Sequence, residues 1–321
     1  MRFNERGFAL IQVLLVFALL AVIVARLQYQ QRIQIERAYQ GLFISQAQTY
    51  IDSAEAIAKV GLKIDAEQTE TDHFGEEWNQ TIGPFPVDNG LISLELNDLQ
   101  GRFNLNWLHP NAANPEAAAE GFKRLLLELD LSDSIADELL DWFDRDSGSE
   151  FNYVDQEPGY RPSFLPMADV SELRLLKSVD DETYAKLSPY VATLGPTDEL
   201  NINTASSEVL MTLASFISKE DADALVDRRG EDGFGQPDDL LSDTLFQEND
   251  DKPLYIDALT VHSQWFDLFT EVSLDERTLR QSSRLYRSDS GNVIVNERSQ
   301  AIRKANRSPG DTLSGKAVTE P

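Results

Sequence analysis

The sequence predicts an α+β protein: one long N-terminal helix packed on an antiparallel sheet, with a large helical domain inserted between the strands. Three observations lead to this prediction. An apolar run is followed by helical periodicity to about residue 60. Period-two alternation appears in residues 90–108 and returns after residue 255. The block between them, residues 110–255, lacks such alternation and predicts helices.

Composition limits the classes of function. The 321 residues carry 55 acidic and 28 basic side chains, a formal net charge of -27 at pH 7. Such an acidic surface repels phosphate backbones, so we expect no nucleic-acid partner. Cysteine is absent and no two of the three histidines share a metal-ligand spacing, which argues against thiol catalysis, disulfides and a zinc hydrolase. Without a phosphate loop, dinucleotide motif or Ser-His-Asp set, the sequence predicts no enzyme and no small-molecule substrate.

The N-terminal segment predicts a membrane-spanning helix. Residues Phe8 to Ala25 form an uncharged run of 18, which as a helix spans roughly 27 Å, enough for a bilayer core. Arg2 and Arg6 precede the run, so the short leader should stay in the cytoplasm and the acidic remainder should lie outside. A cleaved secretory signal is disfavoured because helical periodicity continues without proline to about Val60. An ordinary signal anchor is the remaining alternative.

Strands are predicted on both sides of the central block. Residues 65–81 are polar and predict a loop. Alternation in residues 90–108 predicts a β-hairpin with its bend at Asn97–Gly101, and further alternating segments lie within residues 258–299. The tail beyond Arg303 is rich in small and polar residues, and we expect it to be disordered.

The central block contains a weak internal repeat. Residues 124–146 align with residues 209–232, and each copy predicts a helix, a short turn and a second helix, with convergent amphipathic helices as the alternative. The segment from Leu200 is similar to a helix-hairpin-helix, a non-specific DNA-binding module. Its hairpin, Ala214–Ser218, has no glycine to let backbone N–H groups approach a phosphate, and acidic residues surround it. We therefore expect the scaffold without the DNA-binding function.

A dense acidic turn follows the first copy. Asp144 and Asp146 lie two residues apart, Gly148 allows the chain to turn back, and Glu150 and Asp155 follow. Calcium takes about six to eight oxygen ligands from loops of this kind. The spacing is not that of an EF-hand, and in so acidic a chain a solvated acidic turn is the alternative.

The N-terminus resembles the signature of type IV pilins and pseudopilins. In that class a short basic leader ends in glycine and a prepilin peptidase cleaves after it. The match here is Gly7 followed by Phe8, which would become the first residue of the mature chain and is N-methylated in the class. Major pilins carry glutamate at the fifth mature position, where this chain has Gln12. The resemblance therefore implies a subunit that is not the repeating unit of a filament.

Several motifs together resemble the minor pseudopilin K of type II secretion systems: Gly101–Asn106, Asp141–Asp146, Pro158–Pro162 and Val170–Arg174. The resemblance implies a type IV pilin-like fold with an inserted α-domain, at the tip of a short periplasmic pseudopilus. It implies minor pseudopilins I and J as partners.

The same resemblance implies bound Ca²⁺ beside the Asp141–Asp146 segment. The expected ligands are Asp144, Asp146, Glu150, Asp155 and Glu172. The family has Gly-Ala-Glu-Asp where this chain has Gly148-Ser149-Glu150-Phe151, a departure at the site itself.

These inferences divide the chain into a cytoplasmic leader, a membrane segment, a pilin-like domain in two parts, the inserted α-domain with helix-hairpin-helix-like repeats, and a tail: residues 1–7, 8–25, 26–109 with 256–303, 110–255 and 304–321. The predicted location is the bacterial inner membrane, with a single pass and the bulk of the chain in the periplasm. The predicted function is a minor pseudopilin that initiates pseudopilus assembly and supports export of folded proteins across the outer membrane. The alternative is a minor pilin of a type IV pilus or DNA-uptake pseudopilus whose helix-hairpin-helix binds DNA.

Overall fold

A computed structural model describes residues 5–80 and 82–300. The first four residues of the leader and the tail predicted to be disordered lie outside this range. The helices are α1 Glu5–Gln68, α2 Pro115–Glu128, α3 Ser134–Phe143, α4 Glu150–Tyr153, α5 Asp181–Leu187, α6 Ser207–Leu210, α7 Lys219–Arg229, α8 Pro237–Leu241 and α9 Thr244–Gln247. The strands are β1 Ile82–Val87, β2 Gly90–Asp98, β3 Phe103–Asn104, β4 Val191–Ala192, β5 Leu200–Asn201, β6 Leu259–Thr260, β7 Trp265–Leu274, β8 Arg277–Arg287 and β9 Val293–Gln300.

Five strands form one antiparallel sheet in the order β1-β2-β7-β8-β9. Strands β2 and β7 are neighbours and pair from Gly90 with Leu274 to Asp98 with Phe266. The helical residues between them therefore leave the sheet from one strand and return to the strand beside it. The predicted mixture of a long helix and an antiparallel sheet is confirmed, and the C-terminal strands lie where alternation predicted them.

Helix α1 begins three residues before the predicted start and runs eight residues beyond the predicted end. Its C-terminal part packs on the sheet through one face, formed by Ala47, Ile51, Ala54 and Leu62, all at most 1% exposed. Residues three, four or eight positions apart share a helix face, which explains why this set is buried together. The two alanines let the helix backbone approach the strands closely.

The hairpin predicted over residues 90–108 is wrong. Strand β2 instead pairs with the preceding strand β1, and Asn89, in the left-handed region at a φ of 62°, makes the bend. Asp88-Asn89-Gly90 is a hairpin turn signal, but the two prolines of β1 obscured the strand before it. Prolines are tolerated there because β1 is the edge of the sheet.

Residues 103–107 alternate between apolar residues and asparagines, but the asparagines are buried, so the pattern does not mark a half-exposed strand. Phe103 and Asn104 pair in parallel with β4, and residues Leu105–Leu108 form a 3₁₀ turn. Asn106 is 1% exposed, and its Nδ2 donates to the carbonyl oxygens of Met167 and Leu194 at 2.9 and 2.7 Å. Its side chain thus satisfies the backbone of two distant segments.

The helices between β2 and β7 enclose their own hydrophobic core, which runs from Phe103 to Val261. We call residues 103–261 the α-body. Both copies of the predicted repeat fold as helix, turn and helix, α2 with α3 and then α6 with α7. Ser218 caps α7, accepting the Asp221 N–H, while the Asp221 carboxylate accepts the Ser218 N–H.

Glu55 fastens α1 to the sheet. Its side chain lies in the middle of the buried face and accepts two hydrogen bonds from Arg298, at 2.8 and 2.7 Å. Ser283 donates a third at 2.8 Å. Burial alone would raise the pKa of Glu55, but the hydrogen bonds from Arg298 and Ser283 hold it below its usual value.

Replacing Glu55 with Gln should lower the free energy of unfolding at neutral pH by about 1–2 kcal/mol, because charge-assisted hydrogen bonds are lost. Since the folded pKa is depressed, the carboxylate stabilises the fold above the unfolded pKa, and this contribution is lost as the pH falls through the folded pKa. Urea unfolding of the detergent-solubilised chain should show wild type and variant converging below pH 4.5. The exposed Glu36, paired with Arg277, gives the control Glu36→Gln, which should cost at most about 0.5 kcal/mol. Equal losses in both variants would contradict a buried clamp.

Candidate functional site

The first candidate site is the N-terminal part of α1. Residues 10–24 expose their apolar side chains, and no residue of the most apolar window is buried against the rest of the chain. By length and composition the helix can cross a membrane. Gln12 is exposed within this segment. Gly7 and Phe8 lie in the first turns of the helix, where side chains are not described, so cleavage between them stays a prediction.

Apolar exposure continues beyond the predicted membrane segment. Tyr29, Ile35, Tyr39 and Leu42 are each more than half exposed, although they lie after Arg26. Among the described side chains of α1, Ala47 is the first that is fully buried. About twenty residues of helix thus carry apolar side chains that neither the sheet nor the predicted membrane segment accounts for.

The second candidate site is the acidic turn between α3 and α4. Asp144 ends α3, and its Oδ1 accepts the Asp146 N–H at 2.9 Å. Ser147 donates to the carbonyl oxygens of Asp141 and Asp144, and Gly148 adopts a φ of +74°. The predicted Asp144–Gly148 turn is therefore present. Burial and the negative charge of Asp144 raise the pKa of Asp141.

The remaining predicted ligands are less tightly gathered. Asp155 is exposed beyond α4, and the side chain of Glu150 is not described. Glu172 caps the 3₁₀ turn Val170–Leu175, where its Oε1 accepts the N–H groups of Ala168 and Asp169. Within the described side chains, the predicted ligands form no group of three with oxygens within 4.8 Å of one another. Calcium at this turn stays a prediction.

A neighbouring carboxylate has a structural role that the sequence did not reveal. Glu138 on α3 accepts the Tyr153 hydroxyl at 2.7 Å and the backbone N–H groups of Lys177 and Ser178 at 2.7 and 3.1 Å. It joins α3 to α4 and to the segment before α5. Burial raises the pKa of Glu138, but these donors hold it below its usual value.

In the helix-hairpin-helix-like segment, basic side chains contact carboxylate or carbonyl oxygens of the protein itself. Lys219 contacts Glu208 at 2.9 Å, and Arg228 pairs with Asp243. Arg229 is 4% exposed and donates to two backbone carbonyl oxygens, while burial lowers its pKa to about 10. Cations held in this way are poorly placed to neutralise phosphates. The absence of DNA binding stays a prediction.

The third candidate site was not predicted. Where α1, β8 and the loop after α1 meet, Asp65, Asp72 and Glu76 each place one oxygen within 4.8 Å of the other two. Arg287, 1% exposed, reaches Asp65 Oδ2 at 3.0 Å and also pairs with Asp72. We call these four residues the junction cluster. Asp65 and Asp72 belong to a polar segment that gave no sequence signal beyond a loop.

The carboxylates of the junction cluster lie close enough together to shift one another's pKa values. Burial and the negative charges of Glu76 and Asp72 raise the pKa of Asp65 to about 7. Burial would also raise the pKa of Asp72, but hydrogen bonds from His262 and Arg287 lower it overall. Nearby Asp98 is buried, and this burial raises its pKa to about 6 although Thr204 and Ser263 donate to it.

Comparison with known proteins places the chain among secretion components. Two family models described as "Type II secretion system (T2SS), protein K" match residues 101–196 and 200–261. Type II secretion system protein K of Pseudomonas aeruginosa is 34% identical, with 92% of this chain and 92% of that protein covered. The protein of the same name from Klebsiella pneumoniae is 30% identical over 93% of this chain and 97% of that one.

A solved structure is similar over most of the chain. It is the crystal structure of the GspK-GspI-GspJ complex from the type 2 secretion system of enterotoxigenic Escherichia coli. One of its chains superposes with a TM-score of 0.71 at 26% identity, covering 83% of this chain and 100% of that one. The similarity includes both the helix-on-sheet part and the α-body.

Proposed function

The chain belongs to the type II secretion system protein K family, and we propose that it occupies the tip of the pseudopilus. Membership makes it a minor pseudopilin of the protein secretion machinery. At the tip it initiates pseudopilus assembly and supports export of folded proteins across the outer membrane. The role proposed is structural rather than enzymatic.

The likeness to a whole chain of a complex of proteins K, I and J carries this proposal. The α-body supports it as well, because residues 103–261 add a second, separately packed core beside a sheet of only five strands. A subunit with such an addition fits an end position better than a repeated one. The proposed partners are therefore minor pseudopilins I and J, and the exposed apolar side chains from Tyr29 to Leu42 are the proposed contact surface on α1.

The membrane placement follows from α1. We assign residues 1–7 to a cytoplasmic leader removed by prepilin peptidase, and residues 8–25 to one pass through the bacterial inner membrane. The pilin-like domain, residues 26–109 and 256–303, and the inserted α-domain, residues 110–255, then lie in the periplasm. The exposed apolar side chains of residues 10–24 support the pass. The two separate hydrophobic cores support a division into two domains, although the core of the inserted part extends beyond residues 110–255, from Phe103 to Val261.

Replacing Gly7 with Glu should leave the leader attached, because the peptidase pattern places its cut between Gly7 and Phe8. N-terminal sequencing of the wild-type chain isolated from membranes should begin at Phe8. The control Gly41→Glu changes an exposed glycine of the same helix, far from the cut, and should be processed normally. A wild-type N-terminus beyond Ala25 would contradict the pseudopilin assignment of this segment.

Replacing Gln12 with Glu should not improve secretion. A tip subunit has no preceding subunit whose terminal amine could pair with the carboxylate, so the variant would carry an unpaired charge in lipid at a cost of about 2.5–3.5 kcal/mol. Secretion and capture of proteins I and J should be equal to wild type or reduced. The control Gln28→Glu makes the same change outside the predicted membrane segment and should behave as wild type. Longer pseudopili or greater secretion with Gln12→Glu would contradict the tip position.

We propose that the acidic turn of the α-body binds a structural Ca²⁺ through Asp144, Asp146 and Glu150, with Asp155 and Glu172 completing the set. The donors are all oxygens, as calcium requires. Ser149 Oγ, buried in the same turn, has no hydrogen-bond partner among the described residues and offers a further oxygen. Glu172 makes both of its backbone hydrogen bonds through Oε1, so Oε2 is the oxygen that it would contribute.

Calcium should raise the melting temperature of the detergent-solubilised chain relative to chelator. At a hundredfold excess over Kd one bound ion stabilises the folded state by about 2.7 kcal/mol. The double variant Asp144→Ala/Asp146→Ala should reduce the shift, because it removes two ligands. The control Asp250→Ala/Asp251→Ala removes the same charge from another exposed acidic turn and should keep the full shift. No shift in wild type, or equal shifts in both double variants, would reject the site.

A further inference from the structure

We propose that the junction cluster is a second divalent cation site, taking Ca²⁺ through Asp65, Asp72 and Glu76. The site lies outside the helical segments that carry the acidic turn, and it does not depend on the proposed position in the pseudopilus. Three features of the cluster lead to the proposal: its charge, its unused oxygens and their spacing.

The charge of the cluster is unbalanced. Three carboxylates face one guanidinium, that of Arg287, and the four side chains are at most 13% exposed. Ionised together they leave two negative charges in a site withdrawn from water, and burying charge without compensation is costly. One divalent cation would balance them.

The histidines beside the cluster do not remove the imbalance. His73 Nδ1 accepts the Gly75 N–H at 3.2 Å, and its Nε2 lies 3.8 Å from Glu76 Oε1, beyond hydrogen-bond distance. His262 Nδ1 lies 3.0 Å from Asp72 Oδ2, an oxygen that Arg287 and the Ser263 N–H also contact. His262 therefore adds another contact to an oxygen that is already well satisfied.

Two carboxylate oxygens in the cluster remain unused. Asp72 Oδ1 and Glu76 Oε1 are buried and have no hydrogen-bond partner within residues 5–80 and 82–300. The other oxygen of each group is engaged: Glu76 Oε2 accepts the His73 N–H and the indole N–H of Trp78, at 3.1 and 2.7 Å. A buried carboxylate oxygen without a donor loses its hydration for no gain, unless a cation binds it.

The spacing suits a hard cation. One oxygen from each carboxylate lies within 4.8 Å of the others. Ligands at about 2.3–2.6 Å from a shared Ca²⁺ cannot be more than roughly 5 Å apart. A cavity of about 430 Å³, lined in part by Asp65, Glu76 and Trp78, adjoins the cluster and leaves room for water ligands and for entry of the ion.

An ion bound at the junction cluster would hold three parts of the protein together. Asp65 lies in the last turn of α1, Asp72 accepts the Ser263 N–H from the link that follows the α-body, and Arg287 ends β8. The Asp72 N–H also donates to the carbonyl oxygen of Val261, at 2.7 Å. An ion at the cluster would therefore hold the α-body in one orientation on α1 and the sheet.

Terbium luminescence tests the proposal on the full chain in detergent after removal of metals with chelator. Tb³⁺ replaces Ca²⁺ at oxygen sites and emits when a nearby tryptophan is excited. Trp78 contacts Glu76 directly, whereas Trp142 lies in the helix that leads to the acidic turn. Wild type should emit and Ca²⁺ should displace the emission. Trp78→Phe should remove the part of the signal that comes from the junction cluster, and Trp142→Phe should leave that part unchanged.

The conservative variant Glu76→Gln keeps an oxygen for the Trp78 and His73 donors, so it should fold, which circular dichroism checks. It should weaken terbium binding sensitised by Trp78 at least about tenfold. Glu77→Gln, an exposed neighbour, is the matched control and should bind as wild type. Absence of Trp78-dependent emission in folded wild type, or equal affinity in Glu76→Gln and Glu77→Gln, would overturn the proposal and leave a proton as the compensating charge.

Discussion

Arg287 is buried where β8 ends, and the arrangement of the whole protein depends on the groups that it contacts. Its guanidinium donates to Asp65 at the end of α1, to Asp72 in the following loop and to the carbonyl oxygen of Ser263. These partners come from two segments that are far apart in the chain, residues 65–72 and Ser263. A guanidinium has five donors in a fixed planar fork, so it can satisfy such partners only if they are held in one relative position. The hydrophobic cores make the two parts stable, and Arg287 sets how they meet.

The sequence predicted the elements that depend on local patterns. Helical periodicity located α1, because one face of it packs on strands, and alternation located β7 to β9. It missed β1, since the prolines of an edge strand look like a loop signal. The junction cluster could not be predicted, because Asp65, Asp72 and Arg287 are brought together by tertiary structure and each resembles an ordinary surface charge in the sequence. A buried Arg in an alternating strand was the one available hint.

Side-chain amides explain why the α-body was only roughly predicted. Asn104, Asn106, Asn201 and Asn203 are each at most 1% exposed, and they bond backbone groups of segments up to 129 positions away. They replace the regular ladders that longer strands would supply, so β3 to β6 shrink to two residues each. Patterns of apolar residues carry no information about such bonds. The acidic turn could be predicted because its residues are close together in the sequence. The positions of its more distant carboxylates depend on tertiary structure and could not.

The two halves of α1 face different surroundings, and this constrains how the protein works. From Ala47 onward one face of the helix is covered by the chain's own sheet, but from Leu10 to Ile44 its apolar side chains are largely exposed. Roughly half of that exposed length is needed to cross a bilayer core. The rest, with Tyr39 and Leu42, lies beyond the predicted membrane segment, and apolar exposure on this scale marks a surface that binds other chains.

A rigid joint at Arg287 then has a clear consequence. Because the α-body is fixed to the same helix that we propose contacts neighbouring subunits, the assembly would set its orientation, which is what a subunit placed at one end of a filament requires.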